Sequence, residues 1–382
     1  MANNNDNKVL NVSHLRFPEF SGEWKMCTIG ELTTKVGSGV TPRGGEAVYK
    51  TEGHPFVRSQ NVGLGNLLLD DIAFIDEETH LRQKSTELQF NDVLLNITGA
   101  SIGRSALVDK QIVGGNVNQH VCIIRTKENL VPSFICSFLL SNYGQRQIDS
   151  FQAGGNRQGL NFEQIKSIKI TIPSKDEQIK IAKLLRAIDE RIATQNKIID
   201  KLQSLIKGIA QNVARNNKPN IRLSECLECS SSTLQESNVC KNGTYPVYGA
   251  NGIVGYLDNY NTEKEAVYII KDGSGVGTVS YVTGKCSATG TLNTLQAKEG
   301  YSLQYLYYML KVFNFEPYKT GMAIPHIYFK DYGKAKIFCP SYTEQLKYAR
   351  LLSAIDNKLS AEQSILTDLS LQKQYLLRQM FI

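Results

Sequence analysis

The sequence predicts an α+β protein with two similar globular α/β domains. Two long helices join the domains and pair as an antiparallel coiled coil, which gives the chain a pseudo-twofold internal repeat. The first observation is a Pro-Ser-x-x-Glu-Gln motif that occurs twice, at residues 173–178 and 340–345. The second is that each motif opens a run with helical periodicity, and the two runs match without a gap, including a shared Ala-Ile-Asp. The third is that each run follows a stretch of short apolar segments and glycine turns. A repeat of this length indicates two copies of one structural unit.

Residues 1–172 are predicted to form the first domain. Polar turns that contain glycine separate short apolar runs such as 92–97 and 121–124, a pattern typical of strands. Apolar residues at helical spacing predict a helix over 131–141, with Ser133 as its N-cap. The alternating segment 165–172 predicts a last strand that ends before Pro173.

Residues 173–215 are predicted to form a central helix and residues 340–382 a C-terminal helix. The Ser-x-x-Glu sequence at the start of each predicts a capping box, in which each side chain satisfies a free amide of the first turn. Apolar residues then recur in alternating steps of four and three, the heptad pattern of a coiled-coil seam. The predicted pairing positions are Ile181, Leu185, Ile188, Ile192, Gln195 and Ile199 in the first helix and Leu352, Ile355, Leu359, Glu362 and Leu366 in the second.

Gln195 interrupts an otherwise apolar seam, and Glu362 is its counterpart in the repeat. A polar seam position lowers stability but can fix the register and orientation of two helices. Antiparallel pairing is the simplest arrangement, because a domain separates the two helices along the chain. Helices of about 40 residues would be roughly 60 Å long. The alternative is that each helix packs only on its own domain.

Residues 216–339 are predicted to form the second domain on the same plan. The apolar run 266–270 and the glycine turn 273–277 resemble 93–97 followed by 99–103. In this alignment Asn118 corresponds to Asn293, and residues 303–310 form the counterpart of the helix at 131–141. A shared scaffold with divergent turns favours two recognition modules with different targets. Duplication followed by drift is the alternative.

Composition limits the class of partner and the location. The chain has 43 basic and 36 acidic residues, a net charge of +7 and a pI near 8.8, which favours a polyanionic partner. No apolar run is long enough to span a membrane and the first residues are polar, so we expect a cytoplasmic protein without membrane contact. The eight cysteines are expected to be reduced. Cys226 and Cys229 alone have metal-like spacing, and without a second pair no metal site is predicted.

The sequence contains no recognisable catalytic constellation. It has no phosphate-binding loop, and the glycine-rich run 273–277 lacks the third glycine of a dinucleotide fingerprint. The five histidines lie far apart and form no metal-binding motif. Two domains on long helices without a catalytic centre are typical of a binding subunit.

Several short motifs, in this order, resemble one known family over essentially the whole chain. They are the two Pro-Ser-x-x-Glu-Gln helices with their Ala-Ile-Asp sequence, Phe-Pro-Glu-Phe-Ser-Gly-Glu-Trp at 17–24, Ile-Gly-Glu-Leu at 29–32, Thr-Tyr-Pro-Val-Tyr-Gly at 244–249 and Gly-Ile-Val-Gly-Tyr at 252–256. The chain thereby resembles the DNA-specificity subunit of type I restriction–modification systems.

The resemblance implies a non-catalytic subunit of a multisubunit methyltransferase and endonuclease. Each globular unit would be a target recognition domain that binds one half of a bipartite, asymmetric site in double-stranded DNA. The helices would set the spacer and dock methyltransferase subunits, two of them, and restriction motor–nuclease subunits would join that complex. This chain would hold no cofactor, since the methyl donor and ATP would bind to the partner subunits.

The candidate DNA contacts are polar residues on glycine-rich loops, which suit phosphate binding and base reading in the major groove. In the first domain they are Ser38, Thr41, Arg43, Arg58, Gln60, Asn61, Arg104, Asn118, Arg157 and Gln158. In the second they are Tyr248, Asn251, Tyr256, Lys271, Ser274, Lys285, Asn293, Lys319 and His326. For each of them a solvated loop residue is the alternative interpretation.

Two other functions compete with DNA recognition. One is a coiled-coil scaffold that organises protein partners without binding nucleic acid. The even balance of 17 basic and 17 acidic residues within 1–172 favours it, because a DNA-binding surface is normally basic. The other is an enzyme with a dispersed site, which would require activity from the isolated chain.

Overall fold

The computed structural model describes residues 11–152, 159–321 and 324–382, and its backbone contacts divide the chain into two compact units. Unit 1 contains the residues up to Thr194 together with Leu366–Ile382, and unit 2 contains Gln195–Ile365. Each unit therefore consists of one globular domain and a segment of both long helices.

The described residues of the unit 1 domain form nine strands in three small sheets. The strands are β1 (Lys25–Thr28), β2 (Thr33–Ser38), β3 (His54–Val57), β4 (Ala73–Ile75), β5 (Val93–Asn96), β6 (Ser105–Leu107), β7 (Asn116–Val117), β8 (Val121–Thr126) and β9 (Lys169–Ile172). An antiparallel sheet has the order β2-β8-β5-β6, a mixed sheet has the order β4-β3-β7, and β1 pairs with β9. Because its first and last strands pair, the chain enters and leaves the domain at one place.

The described helices of unit 1 are α1 (Glu77–Arg82), α2 (Pro132–Leu140), α3 (Asn142–Ser150), α4 (Phe162–Ser167) and the first half of α5 (Lys175–Arg215). Four of them, α2 to α5, pack on one apolar face of the larger sheet, whereas α1 contacts the β4-β3-β7 sheet through His80. Two local predictions were wrong. Helix α2 begins at Pro132 without a side-chain cap, because proline at the first position needs no amide partner there, so Ser133 is not the N-cap. The segment 165–172 starts as the end of α4, which Asn161 caps, and becomes a strand only at Lys169.

The unit 2 domain has the same architecture. Its elements are β10 (Ile221–Arg222), α6 (Leu223–Cys226), β11 (Leu227–Ser231), β12 (Tyr245–Gly249), β13 (Gly252–Leu257), β14 (Glu265–Ile270), β15 (Val279–Thr283), β16 (Ser287–Ala288), β17 (Leu292–Ala297), α7 (Leu303–Lys311), α8 (Phe329–Tyr332), β18 (Lys336–Ile337) and the start of α9 (Tyr342–Gln379). The sheets have the orders β11-β17-β14-β15 and β13-β12-β16, and β10 pairs with β18. Strand for strand, this is the order of unit 1, and the predicted fold class is confirmed.

The strand register corrects one predicted correspondence between the domains. The amide of Asn118 donates to the carbonyl of Val57 at 3.0 Å, and in the second domain the amide of Thr289 donates to the carbonyl of Tyr248 at 2.9 Å. Asn118 is therefore equivalent to Thr289. Asn293 pairs with Ile269 inside the larger sheet, where Cys122 is its equivalent. The sequence alignment missed this because the number of residues between the glycine turn and the next strand of the sheet differs between the two domains.

The two long helices pack against each other in opposite directions within each unit. In unit 1, Ile181 and Leu185 of α5 share a buried cluster with Leu376 and Met380 of α9. In unit 2, Ile199 and Ile206 of α5 are buried, as are Leu352 and Leu359 of α9. The Nε2 of Gln195 donates to the backbone carbonyl of Glu362 at 2.9 Å and also to its carboxylate. The heptad pattern predicts this seam, and the domain between the two helices predicts its antiparallel direction; both predictions are confirmed.

Charged residues flank the seam. The ammonium group of Lys373 lies 2.6 Å from the Asp189 carboxylate and donates to the carbonyl of Leu64 at 3.1 Å, which ties α9 to a turn of the unit 1 domain. In unit 2, Lys358 lies 2.5 Å from the Glu362 carboxylate. Its hydrogen bond, together with that of Gln195, lowers the pKa of Glu362, so this seam residue stays ionised at neutral pH.

The last residue of the repeated Pro-Ser-x-x-Glu-Gln motif ties each helix to its domain. Gln178 is 1% exposed: its Oε1 accepts from the amide of Val131 at 2.9 Å, and its Nε2 donates to the carbonyl of Pro173 at 3.1 Å. Gln345 is 2% exposed, accepts from the amide of Ser302 at 2.9 Å and donates to the carbonyl of Pro340 at 2.9 Å. Each carboxamide thus joins the start of a long helix to the start of α2 or α7.

The glutamate of the motif does not complete the predicted capping box. The Ser174 hydroxyl accepts from the amide of Glu177 at 3.4 Å, but the Glu177 carboxylate accepts two hydrogen bonds from Arg16, each 2.8 Å long. This bidentate pair raises the pKa of the Arg16 guanidinium. In the second copy the Ser341 hydroxyl donates to the Glu344 carboxylate instead. In unit 1 the ion pair with Arg16 therefore takes the place of the hydrogen bond that the Glu177 carboxylate would accept from the Ser174 amide in a capping box.

Among the described residues no helix is long and apolar enough to cross a membrane.

We expect Gln178→Ala to lower the free energy of unfolding by about 2–3 kcal/mol, because it leaves a buried amide and a buried carbonyl without partners. Urea unfolding measures the loss, and hydrogen exchange should locate it at the α2–α5 junction. Gln203→Ala is the matched control: Gln203 is exposed on the same helix, and its loss should change stability by no more than about 0.5 kcal/mol. Equal effects of the two substitutions would show that the hydrogen bonds of Gln178 do not stabilise the α2–α5 junction.

Candidate nucleic-acid interface

Several predicted contact residues of the first domain lie at one end of its larger sheet. We call residues 58–61, 71, 96–104 and 118–120 the first polar face. It lies where β5 ends and β8 begins, since Asn96 pairs with Val121. Ser38 ends β2 at the same place, because it pairs with Cys122. The structure therefore gathers loops that are up to 80 residues apart in the sequence.

Asp71 holds the turn 58–61 in place. Its carboxylate accepts from the Asn61 amide group at 2.9 Å and from the Gln60 amide group. Its backbone carbonyl accepts from the Arg58 guanidinium at 2.8 Å, and its carboxylate lies 3.6 Å from the same group. The Arg58 guanidinium also lies 5.4 Å from the centre of the Tyr49 ring. Arg58 and Gln60 are therefore held in fixed positions before any ligand binds.

Asn96 connects this turn to the glycine turn after β5. It is fully buried, and its Nδ2 donates to the carbonyl of Ser59 at 2.8 Å and to the Ser101 hydroxyl at 3.1 Å. Close by, His120 bonds the Thr98 hydroxyl at 2.6 Å. The amide of Asn96 also donates to the carbonyl of Arg104 at 2.9 Å, so the backbone of the exposed Arg104 lies next to the residue that holds Ser59.

The remaining candidates of the first domain follow β2 or fall outside the description. Thr41 is half-buried and Arg43 is exposed. A Cβ at Gly39 would lie 1.7 Å from the carbonyl of Val117, so only glycine allows the chain after Ser38 to pass β7 this closely. Arg157 and Gln158 lie outside the described residues.

The corresponding glycine turn of the second domain, after β14, also gathers predicted contact residues. We call residues 271–274, 319–320 and 325–327 the second polar face. The amide of Gly273 donates to the carbonyl of Pro325 at 3.0 Å, and the amide of Ile327 donates to the carbonyl of Lys271 at 2.9 Å. His326 is bonded to the Asp272 carboxylate at 2.7 Å. This pairing brings Lys271, Ser274, Lys319 and His326 together, and Lys319 carries an ion pair with Glu316.

The structure separates the other candidates of the second domain into two groups. Tyr248 and the exposed Asn251 lie at the Gly249–Gly252 hairpin, next to Thr289. Lys285 lies just after the last residue of β15, Thr283, which pairs with Glu265. Glu265 is the first residue of β14, so Lys285 lies at the end of the sheet far from the glycine turn. Tyr256 lies at the corresponding distant end of β13. Lys285 stacks over Tyr260 at 4.8 Å, and its hydrogen bond to that residue raises its pKa.

Three asparagines among the candidates are interior residues. Asn61 is 0% exposed, Asn118 is 7% and Asn293 is 3%. Asn61 bonds Arg58 and Asp71, the Oδ1 of Asn118 accepts from the amide of His120, and Asn293 bonds Ser231 and Tyr332. Since buried polar groups are satisfied inside the domain, these side chains shape the loops, and we omit them from the proposed contacts.

Of the two cysteines with metal-like spacing, Cys226 is a buried thiol and Cys229 is half-buried. Burial raises the pKa of Cys226 to about 12 and that of Cys229 to about 11, so both stay protonated at neutral pH. In the parts of the chain that the structure describes, no group of three or more metal-binding side chains comes together.

Sequence reasoning missed Asp71, His120 and the role of Asn96. Asp71 follows an ordinary apolar run and Asn96 ends one. The folded chain, and not a local sequence motif, brings each of them next to its hydrogen-bond partners. A polar residue at the end of a fully buried strand, as in Val-Leu-Leu-Asn at 93–96, is the one signal that could have singled out Asn96.

Comparisons with known proteins agree with this architecture. A family model described as type I restriction modification DNA specificity domain matches residues 21–204 and 219–370. A putative type I specificity subunit of Mycoplasma genitalium is 25% identical over 320 residues, which cover 76% of this chain and 81% of that protein. The EcoKI specificity subunit of Escherichia coli K12 is 23% identical over 202 residues, 50% of this chain and 41% of that protein.

Solved structures share the fold. The crystal structure of a type I restriction–modification S subunit from M. genitalium superposes with a TM-score of 0.67 at 18% identity, over 97% of this chain and 99% of that chain. A chain from a study of complex assembly in the type I system superposes with a TM-score of 0.54 at 17% identity, over 93% and 96%. The family model covers most of the sequence in two copies, one for each domain. The chain therefore belongs to the family of type I restriction–modification DNA-specificity subunits.

Proposed function

We propose that each domain binds one half of a bipartite, asymmetric DNA site through its polar face, and that the paired helices set the spacer between the halves. The observation that carries the proposal is the identical strand order of two domains whose exposed loop residues differ. The connection after β3 carries Arg58 and Gln60, whereas the corresponding connection after β12 carries Asn251. The second polar face adds Lys271, Ser274 and His326. One scaffold with two sets of side chains suits the reading of two different sequences.

The side chains on the two faces suit different parts of DNA. Arginine and glutamine can bond guanine and adenine edges in the major groove, whereas lysine suits phosphates. Arg58 and Gln60 are already ordered by Asp71, so binding would cost little side-chain entropy. Lys271 and Lys319 on the second face would hold the backbone beside Ser274 and His326.

The chain acts as a specificity subunit in a complex with other subunits and DNA. We infer that these subunits are two methyltransferase subunits docked on α5 and α9, joined by motor–nuclease subunits. The methyl donor and ATP would bind there, and this chain would need no cofactor. A function on DNA also supports a cytoplasmic location.

The alternative, a protein scaffold without a role in DNA binding, predicts a different result when one domain is exchanged. We expect replacement of residues 216–339 by the corresponding segment of a relative to change one half of the methylated sequence and to leave the other half unchanged. Methylation mapping of genomic DNA from cells with the complete system measures both halves. Unchanged methylation in a chimera that still assembles would support the scaffold.

The length of the helices is expected to set the spacer. Four residues inserted after Gln195 and four before Glu362 keep the Gln195–Glu362 bond intact and lengthen both helices on the same side of it. Four residues add about 6 Å, and base pairs are about 3.4 Å apart, so the accepted spacer should grow by one or two base pairs with both half-sites unchanged. An insertion in one helix alone is the control and should abolish methylation, because the seam loses its register. An unchanged spacer in the double insertion would contradict the proposal.

Arg58 is expected to read the first half-site. We predict that Arg58→Ala costs about 1–3 kcal/mol of binding and relaxes one position of that half-site. The second half-site should stay as strict as before. Arg82→Ala, an exposed arginine of the same domain paired with Glu78 on α1, is the matched control and should leave the methylated sequence unchanged. Binding to oligonucleotides with single-base changes measures the effect, and equal loss at every position would show that Arg58 contacts phosphate only.

A further inference from the structure

Unit 2 contains a cavity at the end of α5. Its volume is about 420 Å3, and it lies between the last turn of α5, the end of α7, the segment 312–318 and β18. Its walls are mostly apolar, and include Ala214, Met309, Phe313, Tyr318, Ile337 and Phe338.

The internal repeat identifies the equivalent place in unit 1. The gapless alignment of α5 with α9 puts Ala214 at the position of Phe381. The amides of Val131 and Ser302 donate to the equivalent glutamines, Gln178 and Gln345, so these two residues are equivalent. Phe138 and Met309 each follow at the same distance along the helix and are therefore equivalent too. Strand pairing with β1 and β10 makes Lys336 the equivalent of Lys169.

In unit 1 two features fill this place. The first is Phe381, which is fully buried, with its ring centre 5.2 Å from that of Phe134 and 6.1 Å from that of Phe138. The second is helix α3, which covers the free edge of β9. Its Gln147 accepts from the amide of Lys169 at 2.8 Å and donates to the carbonyl of Lys169 at 2.9 Å.

Unit 2 has neither feature. Ala214 stands in place of the phenylalanine. After α7 ends at Lys311, the described residues up to Phe329 contain only the short 3₁₀ turn Glu316–Tyr318 and no equivalent of α3. The cavity is therefore the space that an aromatic side chain and a covering helix occupy in the other half of the molecule.

We propose that this cavity is a docking site for a helix of the methyltransferase subunit. The helix inserts a large apolar side chain, aromatic or leucine, between Met309 and Phe338. It also places a glutamine or asparagine carboxamide on the backbone of Lys336, as Gln147 does on Lys169. The inference rests on the proposed function, because that function supplies the partner.

Three observations favour a protein helix over DNA as the occupant. The walls offer little to phosphates, since Lys336 is the one charged residue among those that line the cavity. Open apolar surfaces bordered by polar residues are typical of protein interaction sites. The cavity is also continuous with the last turn of α5, one of the two helices on which we expect the methyltransferase subunit to dock.

The test fills the cavity from within. Ala214→Phe places the side chain of Phe381 at the equivalent position and should leave no room for the partner. We expect the variant to keep or raise the melting temperature of the free chain and to weaken the binding of the methyltransferase subunit at unit 2 at least tenfold. Analytical ultracentrifugation should then show one bound subunit at concentrations at which the wild-type chain binds two. Ala214→Ser, which leaves the cavity open, is the matched control and should assemble like the wild type.

A second measurement needs no variant. Hydrogen exchange of the wild-type chain should slow at least tenfold at residues 312–318 and 335–338 when the methyltransferase subunit binds, while the exposed segment 283–285 keeps its rate. Normal assembly of a folded Ala214→Phe chain, or unchanged exchange at these residues in the complex, would overturn the docking site. If the wild-type chain itself fails to bind the methyltransferase subunit, the proposed function is wrong as well, so the two failures are distinguishable.

Discussion

The architecture depends on one buried carboxamide in each half of the molecule. Gln178 and Gln345 join the first turn of a long helix to the first turn of the helix that packs on the domain sheet. A buried amide group allows little freedom, because its donors and its acceptor must all find partners with correct geometry. Each domain is consequently held at a defined orientation to the start of its long helix. Where the helix length sets the distance between the two half-sites, this rigid attachment keeps the recognition loops at a fixed position relative to the helix.

Features with a strong period or a long repeat could be predicted from the sequence. The heptad pattern and the matching motifs predict both long helices and the duplicated domain, and the domain between the helices predicts their antiparallel pairing. The sequence shows that the glutamine of the motif is repeated, but the partners of its two copies, Val131 and Ser302, lie far from them in the sequence. Its role therefore needed the structure.

Local signals failed where tertiary contacts decided the outcome. Ser174 and Glu177 have the spacing of a capping box, yet Arg16 attracts the carboxylate because a bidentate ion pair is the stronger interaction. Asn118 and Asn293 are polar and close to glycine turns, which predicts DNA contacts, but both side chains are buried. No sequence motif points to Asp71, although it orders Arg58 and Gln60. In all three cases the deciding partner is set by the folded backbone of a loop, and periodicity carries no information about it.

The packing of α9 on unit 1 also has a consequence for biosynthesis. Phe381 and Met380 belong to the same buried cluster as Phe134, and the Thr171 hydroxyl donates to the carbonyl of Ile382, 211 residues away. Chains grow at about 5–20 residues per second, so these side chains emerge roughly 10–40 s after the last strand of the first domain. During that interval the domain exposes the apolar surface that they later cover. The core of the first domain is therefore completed only after the second domain has been translated.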